Sequence, residues 1–238
     1  LPDRRQHRGP HPEDARLFSS SFVENLRAAV RDLSWLLSRD YSSVSALKLV
    51  GDRYSLEARQ RLAVARAACS DAQRQQRLDK LLPPARAAGQ ELWLDGFNVL
   101  TTIEAALAGG VLLRSRDGCL RDMASMHGSF RLVAETERAV TLVGQTLATW
   151  RATPCRWILD QPVSNSGRLK TLIGRLATQH GWNWEVELLA KADERIARDA
   201  PLVASADSHV INHCRAWANL AAEVVAAHIP DASTIDLS

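Results

Sequence analysis

No stretch of this 238-residue sequence stays apolar for the ~20 residues that a membrane-spanning helix requires. Cysteine is scarce. Cys69, Cys119, Cys155 and Cys214 stand apart without C-x-x-C spacing, which argues against a disulfide framework or zinc knuckle and for a reducing, cytoplasmic setting. The polar start, LPDRRQHRGPHPED, has no hydrophobic segment behind it, so it reads as a disordered lead-in over residues 1–12 and not as a secretory signal. Several catalytic signatures are missing as well. There is no G-x-x-x-x-G-K-[ST] loop, no G-x-S-x-G elbow, no H-E-x-x-H helix and no EF-hand, which weighs against P-loop, acyl-hydrolase, zincin and calcium-sensor chemistry. His209 and His213 are four apart on a predicted helix but lack the glutamate between them, so surface or capping roles fit them better than a metal clamp. A net charge of +3 is too small to mark a nucleic-acid binder, so the placement of charge matters more than its total.

What is present is a globular composition, 46% hydrophobic and 24% charged. Residues 13–82 read as an all-helical N-terminal domain: Leu17, Phe22, Leu26, Val30, Leu33 and Leu37 recur at three- and four-residue spacings. A shorter helix is expected to stop near Gly51, and a long one to follow through EARQRLAVARAACSDAQRQQRLDKLL. Pro83-Pro84 and Gly89 break the pattern and mark a linker over 83–89. From residue 90 to 238, the apolar runs ELWLD, PCRWILD, WNWEVELL and APLVASAD alternate with helical stretches near 98–108, 132–149, 167–180 and 208–228. That alternation predicts a three-layer α/β domain around a central parallel sheet.

Three of these runs end on aspartate: Asp95, Asp160 and Asp207. Ligands of open parallel sheets sit beyond the carboxyl ends of the strands, so residues distant in sequence converge there. Grouped carboxylates repel one another unless a cation intervenes, and oxygen donors favour Mg²⁺ or Mn²⁺. Each aspartate also has a structural reading, Asp207 and Asp95 as helix caps and Asp160 as a turn former. Asp193, within AKADERIARD, reads as a solvated helix face. Glu137 stands near the start of the 132–149 helix and could lean toward the sheet edge; Glu104 lies deeper in its helix.

The segment QPVSNSGRLK follows a strand and opens a helix, so Ser164 and Ser166 could present backbone N–H groups to phosphate while Arg168 and Lys170 add charge. Residues 109–131 are long for an α/β connection and hold Arg114, Arg116, Asp117, Arg121, Asp122, His127 and Arg131, which suits a lid or substrate loop. Arg53, Arg59, Arg61, Arg66, Arg74 and Arg77 could face a phosphate backbone or simply a solvated helix surface. Trp182 or Trp184 could stack a base.

LWLDGFNVL, with D-G-x-N after the first strand, resembles the opening of PIN-like and NYN nuclease domains, and SADSHVI resembles their later strand-end element. With HGSFR, LDQPVSNSGRLK and LVGDRYSLEARQR, the chain is similar to a prokaryotic family that joins a helical N-terminal domain to a PIN-like C-terminal domain. The resemblance implies a divalent-metal nuclease acting on RNA, with Asp95, Asp160 and Asp207 as metal ligands and Asn98 supporting the first. The second reading is a nucleic-acid-binding or adaptor module with a degenerate site. A small-substrate phosphohydrolase ranks last, because Phe97 occupies the second acidic position of the D-x-D motif.

Overall fold

The computed structural model describes residues 7–124 and 130–238. The N-terminal part holds five helices: α1 (Asp14–Leu17), α2 (Ser20–Leu37), α3 (Ser43–Arg53), α4 (Ala58–Ala67) and α5 (Asp71–Lys80). Leu26, Val30 and Leu33 of α2 are buried with Leu17, Val50, Ala63 and Val64, as their spacing predicts. The long helix expected after Glu57 is two. Ser70 interrupts it with a capping box, its Oγ accepting the Gln73 N–H at 3.1 Å and its own N–H donating to Gln73 Oε1 at 3.1 Å. The helix expected to stop near Gly51 runs on to Arg53, and a Cβ at Gly51 would collide with the Arg61 guanidinium.

After a 3-10 turn at Pro84–Ala87, the chain forms β1 (Leu92–Asp95), α6 (Gly96–Leu107), β2 (Leu112–Arg114), β3 (Leu120–Asp122), α7 (Thr136–Trp150), β4 (Cys155–Asp160) and α8 (Ser166–His180). It continues through β5 (Trp184–Leu189), α9 (Ala192–Asp199), β6 (Val203–Ala204), α10 (Ser208–His213), β7 (Trp217–Ala218), α11 (Leu220–His228) and β8 (Thr234–Asp236). One parallel sheet has the order β5-β4-β1-β6-β7. Successive strand residues face opposite layers. Leu92, Leu94, Trp157 and Leu159 cluster with Ile103, Val143, Ile173 and Val224, whereas Trp93 and Ile158 cluster with Ile196, Val210 and Trp217. This is a three-layer α/β arrangement.

The single helix expected over 208–228 is broken by β7. There Trp217 is fully buried, its carbonyl accepts the Leu82 N–H at 2.8 Å, and its Nε1 donates to the Arg77 carbonyl at 2.8 Å. Tertiary pairing overrides helix propensity at that point.

Residues 109–124 of the expected lid or substrate loop form a hairpin within a second sheet of order β3-β2-β8. Val111, Leu113, Ile235 and Leu237 join the helical core, while Leu112 and Leu120 pack with Ala105, Ala106 and Val225. The small sheet therefore joins the two halves, and residues 83–89 mark a change of chain texture without a gap in packing. Arg77 and Arg121 both donate to buried Asp117, the latter at 2.7 and 2.8 Å, which ties α5 to the hairpin.

The lead-in, expected to be disordered through residue 12, is docked from His7 onward. Arg8 pairs with the buried Glu104 carboxylate and lies 4.8 Å from the Phe130 ring centroid, and His7 Nδ1 sits 2.6 Å from Glu135 Oε1. Among the described residues, no helix is long and apolar enough to cross a membrane.

Candidate active site

In the large sheet β1 is central, with β4 and β5 on one side and β6 and β7 on the other. The chain reverses its direction of travel at β1, and such a switch point opens a crevice at the carboxyl ends of the strands. A cavity of about 490 Å³ occupies this place, lined by Asp95, Asp160, Asp193 and Asp207 with Asn98, Arg66, Arg121 and Asp122. Register explains the convergence. Asp95 is opposite Ile158, so Asp160 lies two residues further along β4, and Leu94 is opposite Ala204, which puts Ser205 beside Asp95. The glycine after Asp95 is a packing requirement: a Cβ on Gly96 would come within 3.1 Å of the Ile158 carbonyl and collide with the Leu159 side chain.

Ser205 Oγ donates to Asp95 Oδ2 at 2.7 Å and accepts the Asp207 N–H at 3.0 Å. Asn98 Oδ1 accepts the Ala206 N–H at 2.8 Å, so Asn98 fixes the loop carrying Asp207 against the start of α6. Asp207 does cap α10, its Oδ1 accepting the His209 and Val210 N–H groups at 2.8 and 3.0 Å, and it faces the cavity as well. The structural and functional readings of this residue are compatible. Asp160 Oδ1 accepts the Ala192 N–H at 3.3 Å, which orients the first turn of α9 and places Asp193 at the rim.

The electrostatics are those of a site short of positive charge. Burial, then the neighbouring Asp193 charge, push the Asp95 carboxyl up to about 8 although Ser205 donates to it; Asp207 adds to the rise. Asp193 is pushed up to about 6 by burial, then by Asp207 and Asp160. Burial also raises Asp160. Oδ2 of Asp160, Oδ2 of Asp207 and both oxygens of Asp193 carry no hydrogen bond among the described residues. Oxygen-only donors of this kind are the type that hard divalent cations take. Among the described residues, no group of three or more His, Cys, Asp or Glu side chains is arranged to hold a metal ion.

Other expected residues lie elsewhere. Glu137 is exposed and pairs with Arg175 of α8 at 2.7 Å, away from the cavity lining. Glu104 is bound to Arg8 and to Thr136 Oγ1, the latter at 2.6 Å. Ser164, Ser166, Arg168 and Lys170 stand around the start of α8, beyond the same end of β4, but none lines the cavity. Ser166 is buried with its hydroxyl 3.4 Å from the Gln161 carbonyl, whereas Arg168 and Lys170 are exposed. Arg131 is half-buried, and its carbonyl accepts from Arg8 at 3.2 Å. His127 lies outside the described residues. Trp182 and Trp184 stack on each other at 4.4 Å at the amino end of β5, remote from the aspartate edge. His209 and His213 are exposed, and His213 Nδ1 is 2.8 Å from the His209 carbonyl.

Asp193 reads as a solvated helix face from sequence and Asp122 as part of a lid or substrate loop, yet both line the cavity; Asp122 is held by the Ala124 N–H at 2.7 Å and Thr102 Oγ1 at 3.0 Å. Packing of Ala192 and Ile196 against the sheet could have suggested that the start of α9 reaches the edge.

Residues 25–80 match a family described as protein of unknown function (DUF434). Over 187 residues the chain is 27% identical to the uncharacterized protein MJ0935 of Methanocaldococcus jannaschii, covering 79% of this chain and 89% of that protein. No solved structure matches it. Residues 84–223, more than half of the chain and the part that holds all five cavity aspartates, match the family described as domain of unknown function (DUF5616), and the chain belongs to that family.

Proposed function

We propose that this protein is a divalent-metal-dependent nuclease with a PIN-like α/β domain, hydrolysing phosphodiester bonds in nucleic acid, RNA in preference. The observation that carries this reading is the convergence of Asp95, Asp160, Asp193 and Asp207 on one cavity at the switch point of the sheet, with oxygens to spare. Asp95, Asp160 and Asp207 would hold Mg²⁺ or Mn²⁺, and Asp193 adds a fourth donor. When bound, such an ion supplies positive charge to the phosphoryl oxygens and acidifies a water. The chain's own residues do the positioning. Ser205 fixes the Asp95 carboxylate, Asn98 fixes the Asp207 loop, and the amino end of α8 with Arg168 and Lys170 offers a place for flanking phosphates. Free, buried cysteines suit a reducing cytoplasm.

That no group of three or more His, Cys, Asp or Glu side chains among the described residues is arranged to hold a metal ion favours one second reading, a binding module with a degenerate site. Cleavage of an RNA and DNA panel with Mn²⁺, Mg²⁺ or EDTA separates the two. Metal-dependent cutting by wild type that is lost in folded Asp95→Asn and Asp207→Asn is expected. A pure wild-type protein that cuts nothing and takes up no metal would overturn the nuclease reading.

A further inference from the structure

The cavity is not built by the α/β half alone. Ala65 and Arg66, at the end of α4, form part of its wall, so a residue of the helical half looks onto the aspartates. Several other arginines of that half meet carboxylates. Arg59 meets Asp14 at 2.9 Å, Arg61 meets Asp52 at 2.7 Å, and Arg77 meets Asp117 at 2.5 Å. Arg121, which also lines the cavity, donates to both oxygens of Asp117, a carboxylate it shares with Arg77.

Arg66 differs. Its hydrogen bonds go to carbonyls, those of Asp122 and Ala124, the latter at 2.7 Å. The nearest carboxylate oxygen, Asp122 Oδ1, is 3.7 Å away, and that carboxylate is already satisfied by Ala124 N–H and Thr102 Oγ1. Among the described residues, two of the five guanidinium donors are used, which leaves three, and the side chain is 27% exposed. The carbonyls thus hold the guanidinium in place without cancelling its charge. A planar, fixed, under-compensated guanidinium is suited to a phosphate. Carboxylates on the opposite wall repel one, so an anion entering here needs this cation.

We propose that Arg66 is a phosphate-binding residue of this cavity and that its ligand is a single-stranded nucleic acid entering between the helical and α/β halves. This deepens the nuclease reading and rests on it for the chemistry that follows binding. A cavity of about 490 Å³ has the size of a small-ligand pocket, room for roughly one or two nucleotides and not for a paired duplex.

The test is fluorescence anisotropy of a labelled eight-nucleotide single-stranded RNA in EDTA, titrated with KCl, beside a blunt duplex of equal length and uridine monophosphate. Wild type is expected to bind the single strand more tightly than either comparison ligand. Arg66→Ala should weaken it roughly tenfold or more and lower the salt slope by about 0.7, the value of one lost contact to a single strand. Arg66→Lys should keep the slope, and Arg31→Ala on α2 should change nothing. Unchanged affinity and slope in folded Arg66→Ala, or equal binding of duplex or mononucleotide, would overturn the proposal. If Arg66→Ala does not fold, phenylglyoxal labelling of wild type decides: Arg66 should be protected by the RNA, and equal labelling with and without RNA would overturn it. Binding through Arg66 without any metal-dependent cleavage would sink the nuclease reading alone, and cleavage with no Arg66 dependence of binding would sink this one alone.

Discussion

Asp117, in the turn between β2 and β3, accepts hydrogen bonds from Arg77 and Arg121; Asp95, at the end of β1, accepts one from a serine hydroxyl. Both are buried. Two guanidinium groups hold the Asp117 carboxyl well below the usual carboxylate range in spite of its burial, whereas burial and two more aspartates push Asp95 up to about 8. The first cluster is complete within the protein and ties the helical half to the hairpin. The second is balanced only by protons or by something added from outside. A buried acid neutralised internally is structural, and a set left unneutralised at a sheet's switch point has the character of a site.

The comparison can be broken first at its strongest point. Asp117→Ala strands two buried guanidinium groups and is expected to cost about 3–5 kcal/mol, read as a lowered denaturant midpoint. Next, Asp95→Asn and Asp207→Asn should each lower metal-dependent cleavage by about 100-fold or more while leaving the protein folded, measured by initial rates on the preferred RNA. A smaller effect is a pH dependence. Between about 4 and 8 the folded chain keeps a proton on Asp95 that the unfolded chain has released, so metal-free stability falls as pH rises through that window. Asp95→Asn should flatten this fall and stabilise the metal-free protein by about 1–2 kcal/mol at pH 8, by chemical denaturation. Smallest of all, Glu137→Gln breaks an exposed pair with Arg175 and should change stability by less than about 0.5 kcal/mol and cleavage not at all.

Much of the fold was legible because strong local signals agree with it. Each of the four longer apolar runs contributes a strand, though APLVASAD only the two-residue β6, and the three aspartates that end such runs do face one cavity. What was not legible depends on long-range pairing. β7 is two residues long and exists because Trp217 pairs with β6 and Leu82; the second sheet joins a hairpin of three-residue strands to β8, from the far end of the described chain. Asp193 looks solvated in its own sequence context, and only the docking of α9 brings it to the edge. The Arg8–Glu104 pair spans 96 positions, beyond any local pattern. Arg66 could not be told from its neighbouring arginines, because the distinction lies in which of them finds a carboxylate.

The most direct test of the claim that the aspartate edge lacks a cation is thermal unfolding of wild type and Asp95→Asn in MnCl₂ at pH 7, with proton release followed in weak buffer. At about 100 times the dissociation constant, Mn²⁺ should stabilise wild type by about 2.7 kcal/mol and release protons, and it should do much less to Asp95→Asn. Equal shifts in both proteins, or none in either, would contradict it.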